Sequence, residues 1–366
     1  MKLIQRIFKD HSEAYIRTNG SSMHGTQHKA LEAVVKCRTP ASGIHVFECP
    51  DCKRRHVTAS SCGNRHCPIC QNPKAAAWVH RQQLKGLPCH YFLVTFTMPT
   101  ALHAVARNYP RQLYSALFYA SSAALRSLET DRRFVGCTMA GFFGILHPWG
   151  RQMQYHPHIH YVVPGGGLSE DRKSWITPKG DFLVHVRALS ALYKGKLKAE
   201  LARCDLLKYV PESAWGKRWV VHCKAVGDGQ RALKYLGAYV FRVAMSNARI
   251  INYNGRTVTF RYRKTGSRRP RRCSLDAMEF IRRFLQHVLP EGFMKIRHYG
   301  FMHARCKVTV ETIRKLITRA GKDTQKFVPP PPPARFKPLR CDQCGGIMQW
   351  KRFISPREMA MACGGP

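Results

Sequence analysis

Residues 155–167 read YHPHIHYVVPGGG. Histidines stand at positions 156, 158 and 160, inside an apolar run that ends in three glycines. In a strand, residues i and i+2 share a face and the residue between them points the other way. The stretch therefore predicts a strand that sets His158 beside His160 and turns Ile159 into the core. His156 shares the histidine face but precedes Pro157, which favours a strand start. Two imidazoles on one face, about 7 Å apart at Cα, can converge on one divalent ion. The glycines leave room for backbone or substrate to come close. A pair of satisfied structural histidines fits the same short pattern. The rest of the chain has to decide between structure, metal binding and catalysis.

The chain has 366 residues, enough for two or three domains with a real core, and 44% of them are apolar. Lys and Arg number 61 against 21 Asp and Glu, a formal charge of +40. A compact body with that excess repels itself unless a polyanion neutralises it. Nucleic acid is the first partner to expect, and an anionic membrane surface the second. The N-terminal MKLIQRIFKDHSEAY has no apolar signal core, and no stretch reaches the ~18 apolar residues of a membrane span. The reading is a cytoplasmic protein with no membrane partner. In that compartment its 15 cysteines argue for metal or free thiols rather than disulfides.

Periodicity predicts helices over 1–36, 74–87, 101–130, 187–203, 229–244 and 275–290, with a last basic helix before the proline run 328–334. It predicts strands over 91–99, 141–150, 219–226 and 254–263, and a turn into a strand over 176–186. The proline run reads as a stiff spacer.

Six cysteines crowd into 37–70. Two C-x2-C pairs, Cys49/Cys52 and Cys67/Cys70, are separated by 14 residues. Each pair can offer two thiolates from one tight turn, and two such pairs complete a tetrahedral zinc site. Cys37, His45, Cys62 and His66 are left over and form a candidate second closed site, with His56 competing for a place. One or two structural Zn²⁺ ions are therefore expected, in a module that presents Lys53, Arg54, Arg55 and Arg65. Cys341/Cys344 is half a zinc site, with Cys363 a candidate third ligand.

The segment KYLGAYVFR carries Tyr235 and Tyr239 at i and i+4, on one helical face. A phenol can attack a phosphodiester and store its bond energy as a phosphotyrosine. Arg242 is placed to neutralise the phosphate. A tyrosine pair at this spacing is more often core packing.

Taken together, the CRT…GIHVFECPDC…SCGNRHCPIC run, the YHPHIHYVVPGGGL strand, the KYLGAYVFRVAMSNARI helix and EFIRRFLQHVLPEGFMKIRHYGF resemble one family over roughly residues 28–303. It is the HUH-type, two-tyrosine rolling-circle transposases of bacterial insertion sequences. The resemblance implies an α+β fold: an antiparallel sheet flanked by helices, with His-U-His on a central strand, preceded by a small helical zinc-binding module. It implies that His158 and His160 hold Mg²⁺ or Mn²⁺, and that Tyr235 and Tyr239 cleave single-stranded DNA at element ends and in the target. The products are a 5′-phosphotyrosine and a free 3′-hydroxyl. His147, His156, His222 and Gln230 are candidates for a third metal ligand. The implied organisation is a zinc-binding recognition module over 1–88, a catalytic domain over 89–303 and a basic tail over 304–366. A replication initiator or relaxase of the same chemistry, and a non-enzymatic zinc-containing DNA-binding protein, are the alternatives. The zinc module and the lack of a G-x4-G-K-[ST] motif favour a transposase.

Overall fold

The alternation in YHPHIHYVV is realised as a ten-residue strand, and the architecture is assembled around it. The computed structural model describes residues 2–240, 245–264, 266–267, 269–321, 327–331 and 338–362, apart from the side chains of Asn72, Ala238, Tyr239 and Ala362. Arg242 and Cys363 lie outside the described residues, as does the Tyr239 side chain.

The strands are β1 (Ile44–Glu48), β2 (Arg55–Ala59), β3 (Tyr91–Thr97), β4 (Met139–Trp149), β5 (Tyr155–Pro164), β6 (Gly167–Leu168), β7 (Trp175–Ile176), β8 (Val221–Ala225), β9 (Ile250–Tyr253), β10 (Thr257–Arg263), β11 (Pro270–Asp276), β12 (Ile296–Gly300) and β13 (Gln349–Ile354). The helices are α1 (Leu3–Asn19), α2 (Gly25–Lys36), α3 (Asn72–Leu84), α4 (His103–Asn108), α5 (Pro110–Glu129), α6 (Val186–Arg203), α7 (Ser213–Gly216), α8 (Gln230–Val240), α9 (Ala277–Leu285), α10 (Val310–Ala320) and α11 (Pro356–Ala362). The fold is α+β, and the sheets are antiparallel.

The chain forms two compact units. One holds 77–240, 289–321 and 327–331. Its seven-stranded sheet has the order β7-β6-β4-β5-β3-β8, with β12 also paired to β4. On β5 the odd-numbered Tyr155, Ile159, Tyr161 and Val163 enter the main core. There they meet Leu113, Leu117 and Leu125 of α5, and Leu189, Tyr193 and Leu197 of α6, all at helical spacing. The buried Tyr161 hydroxyl is satisfied by Ser121 Oγ at 2.7 Å. The even-numbered histidines are left on the opposite face.

The predicted 101–130 helix divides at Tyr109, because Pro110 supplies no N–H to continue a helix and starts α5 instead. The predicted strand over 176–186 is corrected: strand pairing stops at Ile176. Leu183 and Val184 bury in the core without strand pairing, and α6 begins at Val186, where the His185 ring accepts from Arg187 N–H.

The three glycines do not leave space for a substrate. A side chain at Gly165 would come within 2.9 Å of the His90 carbonyl, and one at Gly167 within 2.6 Å of Cys137 Sγ. Gly166, at φ +131°, abuts the Ile176 carbonyl. They let the sheet's own strands pass closely.

The other unit combines 2–76, 245–288 and 338–362. Ile4, Ile7 and Phe8 of α1 bury one helical stripe, and Phe8 meets Phe284 of α9 edge-on at 5.0 Å. Asp276 caps α9 by accepting from Met278 N–H at 2.8 Å. Asn254-Gly255 turns β9 into β10, and β11 completes that sheet. A second three-stranded sheet, β13-β1-β2, joins the two ends of the chain. The segments 1–88, 89–303 and 304–366 follow the chain, whereas these units interleave it, because β1 pairs with β13 and α1 packs on α9.

Candidate active site and metal centres

β5 is an interior strand, so its side chains are flanked by neighbours on both edges. His147 of β4 stands directly opposite His158, and Thr95 of β3 stands opposite His160. The alternation of two adjacent strands thus brings three imidazoles to one face. Their ring centroids are 5.4 Å (147–158), 4.8 Å (147–160) and 4.7 Å (158–160) apart. One nitrogen from each lies within 4.8 Å of the others.

Hydrogen bonds fix which nitrogens point inward. His158 Nδ1 donates to the His156 carbonyl at 2.7 Å. His160 Nδ1 is 2.8 Å from Thr95 Oγ1. With Nδ1–H donated to that hydroxyl, the lone pair sits on Nε2. This Nε2 is buried and has no hydrogen-bond partner among the described residues. Burial pushes His158 down to about 4 and holds His147 and His160 well below the usual histidine range, with repulsion from neighbouring trio members adding to the shift of His147 and His160. The three imidazoles are neutral at pH 7, as metal ligands must be. Three nitrogens leave coordination positions open, and such a donor set suits a divalent cation that also contacts a substrate oxygen.

Of the four candidates for a third ligand, only His147 joins the pair. His156 contributes its carbonyl to His158. His222 is exposed on β8, opposite Thr95. Gln230 accepts from Gln83 Nε2 at 2.7 Å.

α8 buries Ala232, Leu233 and Leu236 and exposes Arg231, Lys234 and Tyr235. Tyr235 is 47% exposed, and its ring stands edge-on to His160 at 6.3 Å. It is not a core tyrosine: its phenol is reachable from solvent beside the imidazoles. Thr95, Trp149 and Lys295 were not legible as site residues. Trp149 stacks on His147 at 5.6 Å and carries the Lys295 ammonium 4.6 Å from its ring centre. The one available signal was a threonine inside the apolar run YFLVTFT.

The cysteines gather differently from the predicted pairing. Cys67/Cys70 are joined by Cys37 and Cys62, with Cys62 and Cys70 sulfurs 3.8 Å apart. Ile69 N–H and Gln71 Nε2 donate to Cys67 and Cys70 sulfurs at 3.4 and 3.5 Å, which favours thiolates. Contact with the Cys62 thiol, and then with Cys67, draws Cys37 down to about 7. Cys49/Cys52 stand apart from this cluster, because they tip the β1–β2 hairpin, and they meet Cys341/Cys344 instead. Neither predicted histidine enters a cluster. His45 accepts from Trp350 Nε1 at 3.3 Å, and the buried His66 donates its backbone N–H to Asn64 Oδ1.

The family model described as "Putative transposase" matches residues 141–309, and the one described as "Transposase zinc-binding domain" matches residues 7–98. A protein of Sinorhizobium fredii named putative transposase y4qJ is 38% identical over 320 residues, covering 82% of this chain and 80% of its own length. The transposase for insertion sequence element IS801 of Pseudomonas savastanoi is 27% identical over 350 residues, covering 89% and 84%. No solved structure matches the chain. None of the described helices is long and apolar enough to cross a membrane. The chain belongs to this family of insertion-sequence transposases, proteins that act on DNA, and it carries the family's zinc-binding domain at its N-terminus.

Proposed function

We propose that the chain nicks and rejoins single-stranded DNA at the ends of its element, through a phosphotyrosine on Tyr235. The observation that carries this reading is the exposed Tyr235 phenol beside three neutral imidazoles, two of them buried and that of His158 half-buried. His147, His158 and His160 would hold Mg²⁺ or Mn²⁺. When bound, that ion supplies charge that polarises a phosphoryl oxygen and orients the scissile phosphate.

Tyr235 Oη attacks the phosphorus and its phenolic proton leaves to solvent. The P–O3′ bond breaks, and the departing oxygen takes up a proton to become a 3′-hydroxyl. The new Oη–P bond keeps the DNA 5′ end covalently on the protein. Attack by a 3′-hydroxyl of another strand reverses these steps and frees Tyr235, so rejoining needs no ATP. Thr95 holds the His160 ring in one orientation, and the Trp149–Lys295 pair fixes His147. Tyr239, one turn along α8, is a second nucleophile for a second strand, and Arg242 neutralises phosphate charge. The scarcity of carboxylates, 21 against 61 basic side chains, agrees with a histidine-held ion rather than a carboxylate triad. It also gives long single strands a cationic surface to follow.

The test is a covalent-adduct assay on single-stranded DNA covering the element ends, with Mg²⁺ or Mn²⁺, resolved on a denaturing gel. A metal-dependent adduct that vanishes in Tyr235→Phe is the expected result. Salt-sensitive DNA binding with no adduct on verified ends would reduce the chain to a non-enzymatic DNA-binding protein.

A further inference from the structure

Two short segments from opposite ends of the sequence fold into the same turn. They are CPDC (49–52) and CDQC (341–344). In each, the carbonyl of the first cysteine accepts from the N–H four residues on: Lys53 to Cys49 at 3.0 Å, and Gly345 to Cys341 at 3.0 Å. In each, the first cysteine donates its own N–H to the carbonyl five residues on, Arg54 at 2.9 Å and Gly346 at 2.8 Å. The residue that closes the turn is left-handed in both, Lys53 at φ 59° and Gly345 at φ 74°. A lysine in that region is uncommon, so the turn is held against a local cost.

Both turns aim their sulfurs at one point. Cys49 lies 3.4 Å from Cys344, Cys52 lies 3.5 Å from Cys341, and Cys52 lies 3.6 Å from Cys344. Four thiolates around zinc at about 2.3 Å would stand ~3.8 Å apart, close to this spacing. The surroundings are built to match. β1 is paired on one edge with β2 and on the other with β13. Phe47, Leu339 and Met348 pack around the sulfurs. A side chain at Gly346 would press on the Asp51 carboxylate and come within 3.3 Å of Cys49 Sγ. Arg54 and Asp342 pair across the two loops at 2.9 Å. Yet β13 is exposed along almost its whole length. So little burial cannot hold three short strands together, and small folds of this kind rely on a metal or a crosslink.

The geometry points to a second zinc site, a four-thiolate centre made by Cys49, Cys52, Cys341 and Cys344, which closes one zinc ribbon from the two ends of the chain. Binding displaces the thiol protons to solvent. Four ligands leave no open position, so the site is structural. It makes the segment after the proline run part of the N-terminal module's fold.

The full-length chain tests this by zinc content and by alkylation with iodoacetamide, read by mass spectrometry. About two zinc ions per chain are expected, the other in Cys37/Cys62/Cys67/Cys70. Cys344 is exposed, yet it stays unlabelled until a chelator is added, and then Cys49, Cys52, Cys341 and Cys344 become labelled together. Cys341→Ser with Cys344→Ser lowers zinc to about one per chain. Adding Cys49→Ser and Cys52→Ser lowers it no further, and Cys344→His alone keeps two. Labelling of Cys344 at one rate with and without chelator would overturn the proposal, as would two zinc ions retained in the Cys341→Ser/Cys344→Ser chain.

Discussion

The imidazole trio and the cysteine clusters both gather side chains that could hold a metal, but they are built in opposite ways. Cys37, Cys62, Cys67 and Cys70 come from the end of a helix and from loops, segments with little regular structure of their own. His147, His158 and His160 come from two paired interior strands, each held by backbone hydrogen bonds to its neighbours in the sheet. Four sulfurs close a coordination shell, and three nitrogens leave one open. On the proposed reading, the difference separates a metal that makes a fold from a metal that a fold would make room for. It also predicts which substitutions unfold the protein and which only silence it.

The largest effects on activity fall at Tyr235 and in the trio beside it. Tyr235→Phe and His158→Ala should each abolish the DNA adduct, while thermal unfolding and salt-dependent DNA binding stay near those of the parent chain. An adduct that survived His158→Ala would remove the histidines from the chemistry. Cys67→Ser should act through the fold instead. Structural zinc is worth on the order of 10 kcal/mol in small domains, so its loss unfolds the zinc-binding unit. Zinc content, thermal melts and end recognition should fail together.

How much of this contrast was legible follows from range. The strand at 155–164, its histidine alternation and the C-x2-C turns are local patterns, and each appears where its spacing places it. The partners are not local. That His147 rather than His222 faces His158 depends on the register of β4 against β5 and of β8 against β3. That Cys49 and Cys52 meet Cys341 and Cys344 depends on β1 pairing with β13 from the far end of the chain. Spacing alone favoured two nearby C-x2-C pairs sharing one ion, because it has no term for long-range strand pairing. The glycine run left backbone and substrate both open for a similar reason: the neighbours that come close are Cys137, His90 and Ile176, which sequence does not place beside it.

Acid should separate the regions further. The histidines of the trio are held below their usual range by burial, His158 at about 4. The unfolded chain, with histidines near 6.5, therefore binds more protons between those values. Stability of the unit that holds the trio should fall as pH drops from about 6.5 towards 4, measured by thermal melts in a metal-free buffer. In His158→Ala that pH dependence should be shallower. An equal slope in both would place the acid sensitivity elsewhere.

The smallest expected effect tests whether the trio is pre-set by its sheet. Thr95 supports the site through His160, with its hydroxyl 2.8 Å from Nδ1. Thr95→Val keeps the shape of the side chain and removes that partner. Loss of such a support usually costs about 10- to 100-fold in metal affinity. The variant should need that much more Mn²⁺ for half-maximal adduct, and at saturating Mn²⁺ it should approach the parent yield. Zinc content should not change, because the cysteine clusters owe nothing to Thr95. A lower yield that no amount of Mn²⁺ restores would mean that Thr95 acts on the DNA itself, and the sheet would then be supplying a substrate contact as well as a ligand orientation.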